Sequence, residues 1–176
     1  MRGYLRITDQ KQEGNYANGE KTGIWLIYSK NGIVDESKLD FKSYTWKLSE
    51  KQEYIRSGNE LTFKSWYANR QQKSEVHYKN DKEHGTRIEW YENGQKQLEG
   101  KYMNEEQDGV WITWHQNGQK WTELKYINGK QEGMETWWYE SGKKQSEDEW
   151  TNGQQKKSII WYENGQKFQE EKFTYV

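Results

Sequence analysis

One seven-residue phrase returns along this 176-residue chain at a nearly constant interval. WYENGQK occupies residues 90–96 and 161–167, and the near copies WHQNGQK and WYESGKK occupy residues 114–120 and 138–144. With Trp66 included, the leading tryptophans are spaced 24, 24, 24 and 23 residues apart. A second aromatic series lies midway between them: Tyr78, Tyr102, Tyr126, Trp150 and Phe173. Such a period indicates a repeat architecture in which each unit is one supersecondary element.

Turn signals recur in most of the units. A glycine follows the Trp-type aromatic at the fourth position and the Tyr-type aromatic at the third, usually after asparagine, as in Asn31-Gly32, Asn93-Gly94 and Asn128-Gly129. Asn-Gly tolerates positive φ at both positions, which a tight hairpin turn requires. We therefore expect each Asn-Gly pair to reverse the chain between two antiparallel strands.

Between the turns, seven or eight residues alternate with period two, which is a strand signature. The sequence therefore predicts an all-β fold, an elongated and twisted antiparallel β-meander of about 14 strands built from repeated hairpins of about 24 residues. We expect a single array over residues 1–176. Residues 66–176 form regular repeats, whereas the alternation slips in 33–65, which we interpret as an irregular repeat or an insertion.

The composition supports a thin structure with a core of large rings. Apolar residues make up 31%, charged residues 31%, and the mean hydropathy is −1.44, yet aromatics reach 16%, with 11 Trp and 13 Tyr. Large rings bury much area each. A net charge of −1 gives no support for a nucleic-acid or anionic-membrane partner. No apolar run suggests a signal peptide or a membrane span, so we expect a cytoplasmic protein, or a secreted or surface-anchored one if a leader has been removed.

The alternation divides the side chains between two faces. We expect Val110, Ile112 and Trp114, together with leucines and tyrosines of the intervening strands, to form the core face. The opposite face would carry a Tyr ladder and a Glu ladder, which either form a solvated surface or recognise a partner. The candidate partner-binding residues are Tyr67, Tyr91, Trp111, His115, Trp137, Tyr139, Tyr162, Glu99, Glu123 and Glu147.

No pattern in the chain predicts catalysis. There is no Cys, and His77, His84 and His115 lie in different repeats, so neither a nucleophile–base pair nor a metal site is indicated. The carboxylates recur evenly, whereas a glycosidase needs two in different environments. We expect no enzymatic activity, no cofactor and no metal.

The unit YINGKQEGMETWWYESGKKQSEDEW (126–150) resembles the bacterial variant of the MORN repeat, which runs Tyr-x-Asn-Gly-x-x-x-Gly, an aromatic strand, then Tyr-x-x-Asn-Gly. The resemblance covers residues 66–173 and 13–33. It fails in 33–65, and Lys156 or Lys157 replaces the second Gly of the last unit. It implies hairpins in an elongated sheet without enzymatic activity. Several bacterial members resemble antitoxins or immunity proteins of toxin–antitoxin systems, and eukaryotic members are associated with membrane attachment and scaffolding.

These observations together predict a non-enzymatic protein–protein interaction module. An antitoxin or immunity protein that neutralises a partner toxin is the first interpretation, and a basic partner would suit the Glu ladder. The alternatives are a cell-surface aromatic repeat that binds choline or glycan and a membrane-associated scaffold. Repeat arrays usually need capped ends, and both ends of this array break off in mid-pattern, so we expect either a longer natural protein or end-to-end self-association.

Overall fold

A computed structural model describes the backbone of residues 4–35 and 46–174, and the side chains of residues 12–27 and 50–174. The described residues form 14 strands in one antiparallel sheet. In chain order they are β1 (Tyr4–Ala17), β2 (Glu20–Asp35), β3 (Trp46–Ser57), β4 (Glu60–Tyr67), β5 (Gln72–Lys79), β6 (Lys82–Trp90), β7 (Lys96–Met103), β8 (Glu106–Trp114), β9 (Lys120–Ile127), β10 (Lys130–Gln131), β11 (Gly133–Trp138), β12 (Lys144–Thr151), β13 (Gln154–Trp161) and β14 (Lys167–Lys172). Each strand pairs with its neighbours in the sequence, except that β10 and β11 both pair with β9 and not with each other. The predicted meander is confirmed.

Two-residue turns close one side of the sheet. Asn128-Gly129 joins β9 to β10 with φ values of 48° and 72°, and Ile127 and Lys130 are directly paired. Positive φ at both central residues is the hairpin geometry that matches strand twist. The prediction for this Asn-Gly pair is confirmed, and the same φ pattern recurs at residues 18–19, 80–81, 104–105 and 152–153.

Five-residue loops close the other side, and there the prediction of two positive φ values is wrong. In the loop at residues 91–95, Gly94 alone has positive φ, at 85°. The Tyr91 amide donates to the Gln95 carbonyl at 2.8 Å, the Gly94 amide donates to the Tyr91 carbonyl at 2.9 Å, and the Asn93 side chain accepts from the Gln95 amide at 3.0 Å. Asn93 thus acts through its side chain, and only the glycine needs left-handed backbone.

A bulge accompanies each of these loops. Between β6 and β7 the pairing shifts from Glu89–Leu98 to Trp90–Lys96, so one residue of β7 is left unpaired. A bulge re-aims the side chains that follow it. This places Trp90 and Lys96 side by side at the end of the hairpin.

The predicted assignment of the core face is wrong for Val110 and Ile112, whereas the leucines and tyrosines of the intervening strands do lie on the buried side. Trp25 and Trp111 are buried, with 4% and 5% of their surface exposed, whereas Val110 and Met134 are 51% and 52% exposed. Cross-strand partners share a face, and Trp111 pairs with Leu124 whereas its neighbour Ile112 pairs with Glu123. We call the side that buries Trp25, Val76, Trp111 and Thr122 the groove face, and the side that carries Val110, Met134 and the Glu ladder the Glu–Lys face.

Glycine makes room for two of the buried indoles. A Cβ on Gly100 would lie 2.2 Å from Cδ2 of Trp111, and one on Gly14 would lie equally close to Trp25. Only glycine lets the backbone approach a ring so closely. Hydroxyl pairs fill narrower parts of the same face, for example Thr113 with Thr122 at 2.6 Å.

The irregular region is described in part. β2 runs through Asn31-Gly32, where a turn was predicted, because its pairing with β1 continues past these residues. Residues 46–65 form β3 and most of β4, which pair regularly across a two-residue turn. Residues 36–45 of the predicted irregular segment lie outside the described residues.

Gly100→Ala is expected to lower the free energy of unfolding by about 2–3 kcal/mol, because the added methyl overlaps the Trp111 ring. Urea denaturation followed by Trp fluorescence measures the change. Gly133→Asn is the matched control, since its φ of 83° suits asparagine and nothing lies within 4 Å of its Cβ position. Equal stability of the two variants would contradict the close packing.

Candidate interaction surface

The Tyr ladder links each repeat to the next. The hydroxyls of Tyr67 and Tyr91 donate to the backbone carbonyls of Trp90 and Trp114, both at 2.8 Å. Tyr139 donates likewise to the carbonyl of Trp161 at 2.9 Å, and Nε2 of His115 lies 2.9 Å from that of Trp138. Each bond spans 22 or 23 residues. The ladder predicted as a recognition surface therefore has a structural role.

Two further letters of the repeated phrase act in the same way. The Asn93 side-chain amide donates to the Gln116 carbonyl at 2.8 Å, with equivalents at Asn69 and Asn117. The Gln71 side chain covers Gly94, with its Oε1 3.0 Å from where a Cβ would stand. We call this set of bonds between successive five-residue loops the loop coupler. The phrase is repeated because every repeat must bind its neighbour.

The Glu ladder lies on the Glu–Lys face, away from the groove. Lys96 donates to Glu99 at 2.7 Å and lies 5.3 Å from the ring centre of Trp114. Lys120 and Lys144 repeat the arrangement with Glu123 and Glu147. The sequence predicted the Glu ladder and the Tyr ladder on the same face of the sheet. In the structure the Glu ladder lies on the Glu–Lys face and the Tyr ladder joins the five-residue loops. Partly exposed ion pairs of this kind stabilise weakly.

The groove face carries two adjoining depressions. One, of about 310 Å³, is lined by Phe63, Tyr67 and Val76 among others. The second, of about 390 Å³, is lined by Leu98, Tyr102, Trp111, Thr113, Leu124 and Tyr126 together with Arg87 and Glu89. Arg87 and Glu89 border both. The two depressions form a shallow groove across several strands, with aromatic and aliphatic walls.

A charged cluster lies where the two depressions meet. The guanidinium of Arg87 donates to Glu83 at 2.9 Å and to Glu89 at 2.6 Å. Burial acts to lower the pKa of Arg87, but the hydrogen bond and charge of Glu89 outweigh it, and the pKa is raised. One cation thus serves two carboxylates, which leaves this part of the groove with an acidic excess.

A second acidic pair lies further along the groove face. Glu135 and Asp148 are direct cross-strand partners, 7% and 8% exposed. Trp150 donates to Glu135 at 2.9 Å and Gln155 donates to Asp148 at 2.8 Å, and neither acid has an ion pair among the described residues. Burial raises the pKa of Glu135, the Trp150 hydrogen bond opposes that rise, and the Asp148 charge adds to it.

The remaining predicted site residues fall into three environments. Trp111 is buried beneath the groove, so its ring does not form an exposed contact. Trp137 is half-buried and packs against Trp121, which in turn packs against His115. Tyr162 is 49% exposed, in contact with Phe168. The structure thus brings His115 and Trp137 together on the groove side through Trp121.

The sequence interpretation missed the charged residues of the groove. Arg87, Trp111 and Glu135 occupy the same position of three successive repeats, 24 residues apart. This position holds a cation, an aromatic ring and an anion in turn, whereas many other positions of the repeat are constant. Alignment of the repeats makes the difference visible. That difference was the available signal, because side chains that vary within an otherwise constant repeat are not needed for the repeat itself.

Two kinds of site are absent from the described residues. No group of three or more His, Cys, Asp or Glu side chains among them is placed to hold a metal ion. Residues 4–35 and 46–174 also contain no helix long and apolar enough to cross a bilayer.

The fold and its couplers define a class: an open, single-layer β-meander of repeated hairpins. Within that class, residues 83–104, 107–128 and 131–152 match the family described as MORN repeat variant. Each matched segment is one hairpin closed by a five-residue loop, and the two residues between segments belong to a two-residue turn or begin the next strand. MORN repeats are commonly protein-interaction or membrane-binding modules and are not known as enzymes. No curated protein matches the chain.

Tyr91→Phe is expected to lower the free energy of unfolding by about 1 kcal/mol, because it removes the hydroxyl that binds the Trp114 carbonyl. Thermal unfolding followed by circular dichroism measures the loss. Tyr162→Phe, measured in dilute protein, is the control. The Tyr162 hydroxyl has no acceptor among the described residues, so this variant should unfold at the same temperature as the parent chain. If both variants unfolded at the same temperature as the parent chain, the loop coupler would not contribute to stability.

Stability is expected to depend on pH through Glu135. Its pKa is raised in the folded chain, so the folded state holds the proton more tightly than the unfolded state does. The contribution is therefore full below the unfolded pKa of about 4.5 and is lost as pH rises through the higher folded pKa. Glu135→Gln should raise the free energy of unfolding by about 1 kcal/mol at pH 7 and change it little at pH 4.

Urea denaturation at several pH values between 4 and 7 measures this effect. The matched control is Glu99→Gln, which removes a carboxylate that is paired with Lys96 on the other face. The control should give no gain at pH 7. A Glu135→Gln variant that was destabilised at pH 7 would show that the carboxylate pair is stabilising as it stands.

Proposed function

We propose that the array is a non-enzymatic interaction module that binds a partner protein along the groove face. The observation that supports this most is the pair of adjoining depressions, which have aromatic and aliphatic walls and no second layer of the described chain over them. Half-buried aromatic side chains in a concave surface resemble the composition of interface hot spots. The match to a repeat family of binding modules supports the same class.

The charges of the groove favour a basic partner. Arg87 is shared by two carboxylates, and Glu135 and Asp148 have no ion pair among the described residues. A field of one sign attracts the opposite sign and speeds encounter. The partner surface is therefore expected to carry Lys or Arg around an apolar centre.

Within this class we propose neutralisation of a toxin as the biological role. A toxin that acts on nucleic acid needs a basic surface, and an acidic groove lined by aromatic residues is a suitable surface to cover it. Choline or glycan binding and membrane attachment stay as the alternative predictions. Calorimetric titration with choline or cell-wall fragments and liposome flotation at low salt test them directly.

The groove is tested by paired charge substitutions on opposite faces. Leu98→Arg with Leu124→Arg places two cations in the groove, and Val110→Arg with Met134→Arg places two on the Glu–Lys face at exposed positions. Affinity capture from the native lysate, followed by titration of the purified partner, should show binding weakened at least about tenfold by the first pair and unchanged by the second. The reverse result would assign binding to the Glu–Lys face.

Toxin neutralisation needs a separate measurement. Co-expression of the captured partner with the parent chain should restore growth that the partner alone arrests. The Leu98→Arg, Leu124→Arg variant should fail to restore growth, provided that circular dichroism shows it folded. A partner that is harmless when expressed alone would rule out the antitoxin role and leave the interaction module standing.

A further inference from the structure

β14 forms an open edge of the described sheet. It pairs with β13 on one side and with no described strand on the other. Alternate backbone groups of an antiparallel strand face each side, so the outer side presents unpaired N–H and C=O groups. Natural edges are usually protected by Pro, bulges or covering segments. The chain contains no Pro, and β14 has four charged side chains and a bulge at Phe168, but no described segment covers its outer side.

The loop coupler is incomplete at this edge. In the four preceding repeats, the residue equivalent to Tyr162 binds a carbonyl of the next repeat. Among the described residues, the Tyr162 hydroxyl has no acceptor, and its side chain is 49% exposed. The Asn164 amide turns back to Gln166 at 3.4 Å instead of reaching a neighbouring loop. A donor positioned by the repeat therefore faces outward without its usual partner.

An apolar contact surface lies beside this donor. Phe168 is 54% exposed, and its ring centre lies 4.9 Å from that of Tyr162. The equivalent position two repeats earlier is Trp121, whose ring packs against Trp137 of the next hairpin. Phe168 thus occupies a position whose counterpart contacts a following strand.

We propose that two copies of this chain associate through β14, edge to edge and antiparallel about a two-fold axis, to give one continuous sheet. Lys167 already pairs with Glu170 of its own strand at 2.6 Å, and this arrangement places the Lys–Glu pairs of the two copies side by side. An axis at or beside Gln169 brings Lys167 of each copy level with Glu170 and Glu171 of the other. The Tyr162 hydroxyl of each copy then lies near a backbone carbonyl of the partner's β14, as its equivalents do within the array.

The two-fold arrangement also limits association through β14 to two copies. An isologous contact uses the same surface on both partners, so no β14 edge is left over for a third chain. A contact of one six-residue strand is small, and small interfaces are weak. The dimer is therefore expected to depend on concentration. It does not require the groove, so it stands or falls separately from the proposed function.

Sedimentation velocity over a range of protein concentrations tests the association. The parent chain should shift from monomer to dimer, and Tyr162→Phe should weaken dimerisation about tenfold through two lost hydrogen bonds. Tyr139→Phe is the matched control: it should lower thermal stability, because its hydroxyl is bound within the chain, and leave the dimer unchanged. A parent chain that stays monomeric up to about 1 mM would overturn the proposal.

Single-cysteine variants locate the contact, since the chain has no Cys of its own. Gln169→Cys lies at the expected axis, where two copies bring their Cα atoms within disulfide range, and it should form a dimer under mild oxidation. Glu140→Cys, in an exposed loop, is the control and should form no disulfide-linked dimer. A dimer that forms in the parent chain while Gln169→Cys fails to cross-link would place the contact elsewhere and also overturn the proposal.

Discussion

Pairing between neighbouring backbones, extended by side chains that bind carbonyls one repeat further on, is the interaction on which this structure depends. The sheet has a single described layer, so no packed second layer holds distant strands together. The five-residue loops are joined by the coupler, and on the opposite side backbone bonds such as Gly129 to Gln107, at 2.9 Å, join the two-residue turns. Stability is therefore expected to be a sum of repeat and neighbour terms.

The fold could be predicted from the sequence because period and turn chemistry are local. Alternation between turns fixes the strands, and asparagine followed by glycine fixes the reversals. The loop at 91–95 shows the limit of prediction from local sequence. Asn93-Gly94 and Asn128-Gly129 are the same dipeptide but form two different turns. The difference lies in the number of residues between paired strands, and that number depends on pairing across the sheet.

The two faces could not be predicted for the same reason. Alternation shows that Val110 and Ile112 share a face. Only the register shows that Leu124 is the cross-strand partner of Trp111, and therefore lies on the other face from Val110 and Ile112. A bulge at each five-residue loop shifts that register by one residue, and a one-residue shift exchanges the faces. The Tyr ladder was therefore recognised as a regular feature, whereas its bonds to the next repeat required the structure.

The variable position occupied by Arg87, Trp111 and Glu135 has a consequence for where a partner would bind along the groove face. Tyr78, Tyr102 and Tyr126 recur at every second strand, about 9.6 Å apart. If every repeat carried identical side chains in the groove, the same partner could bind in several positions, each displaced by one repeat. Arg87, Trp111 and Glu135 differ at corresponding sites, so a displaced partner would meet a cation, a ring or an anion in the wrong order. The side chains that differ between repeats would therefore fix the position of a bound partner along the array, and the side chains that recur would not.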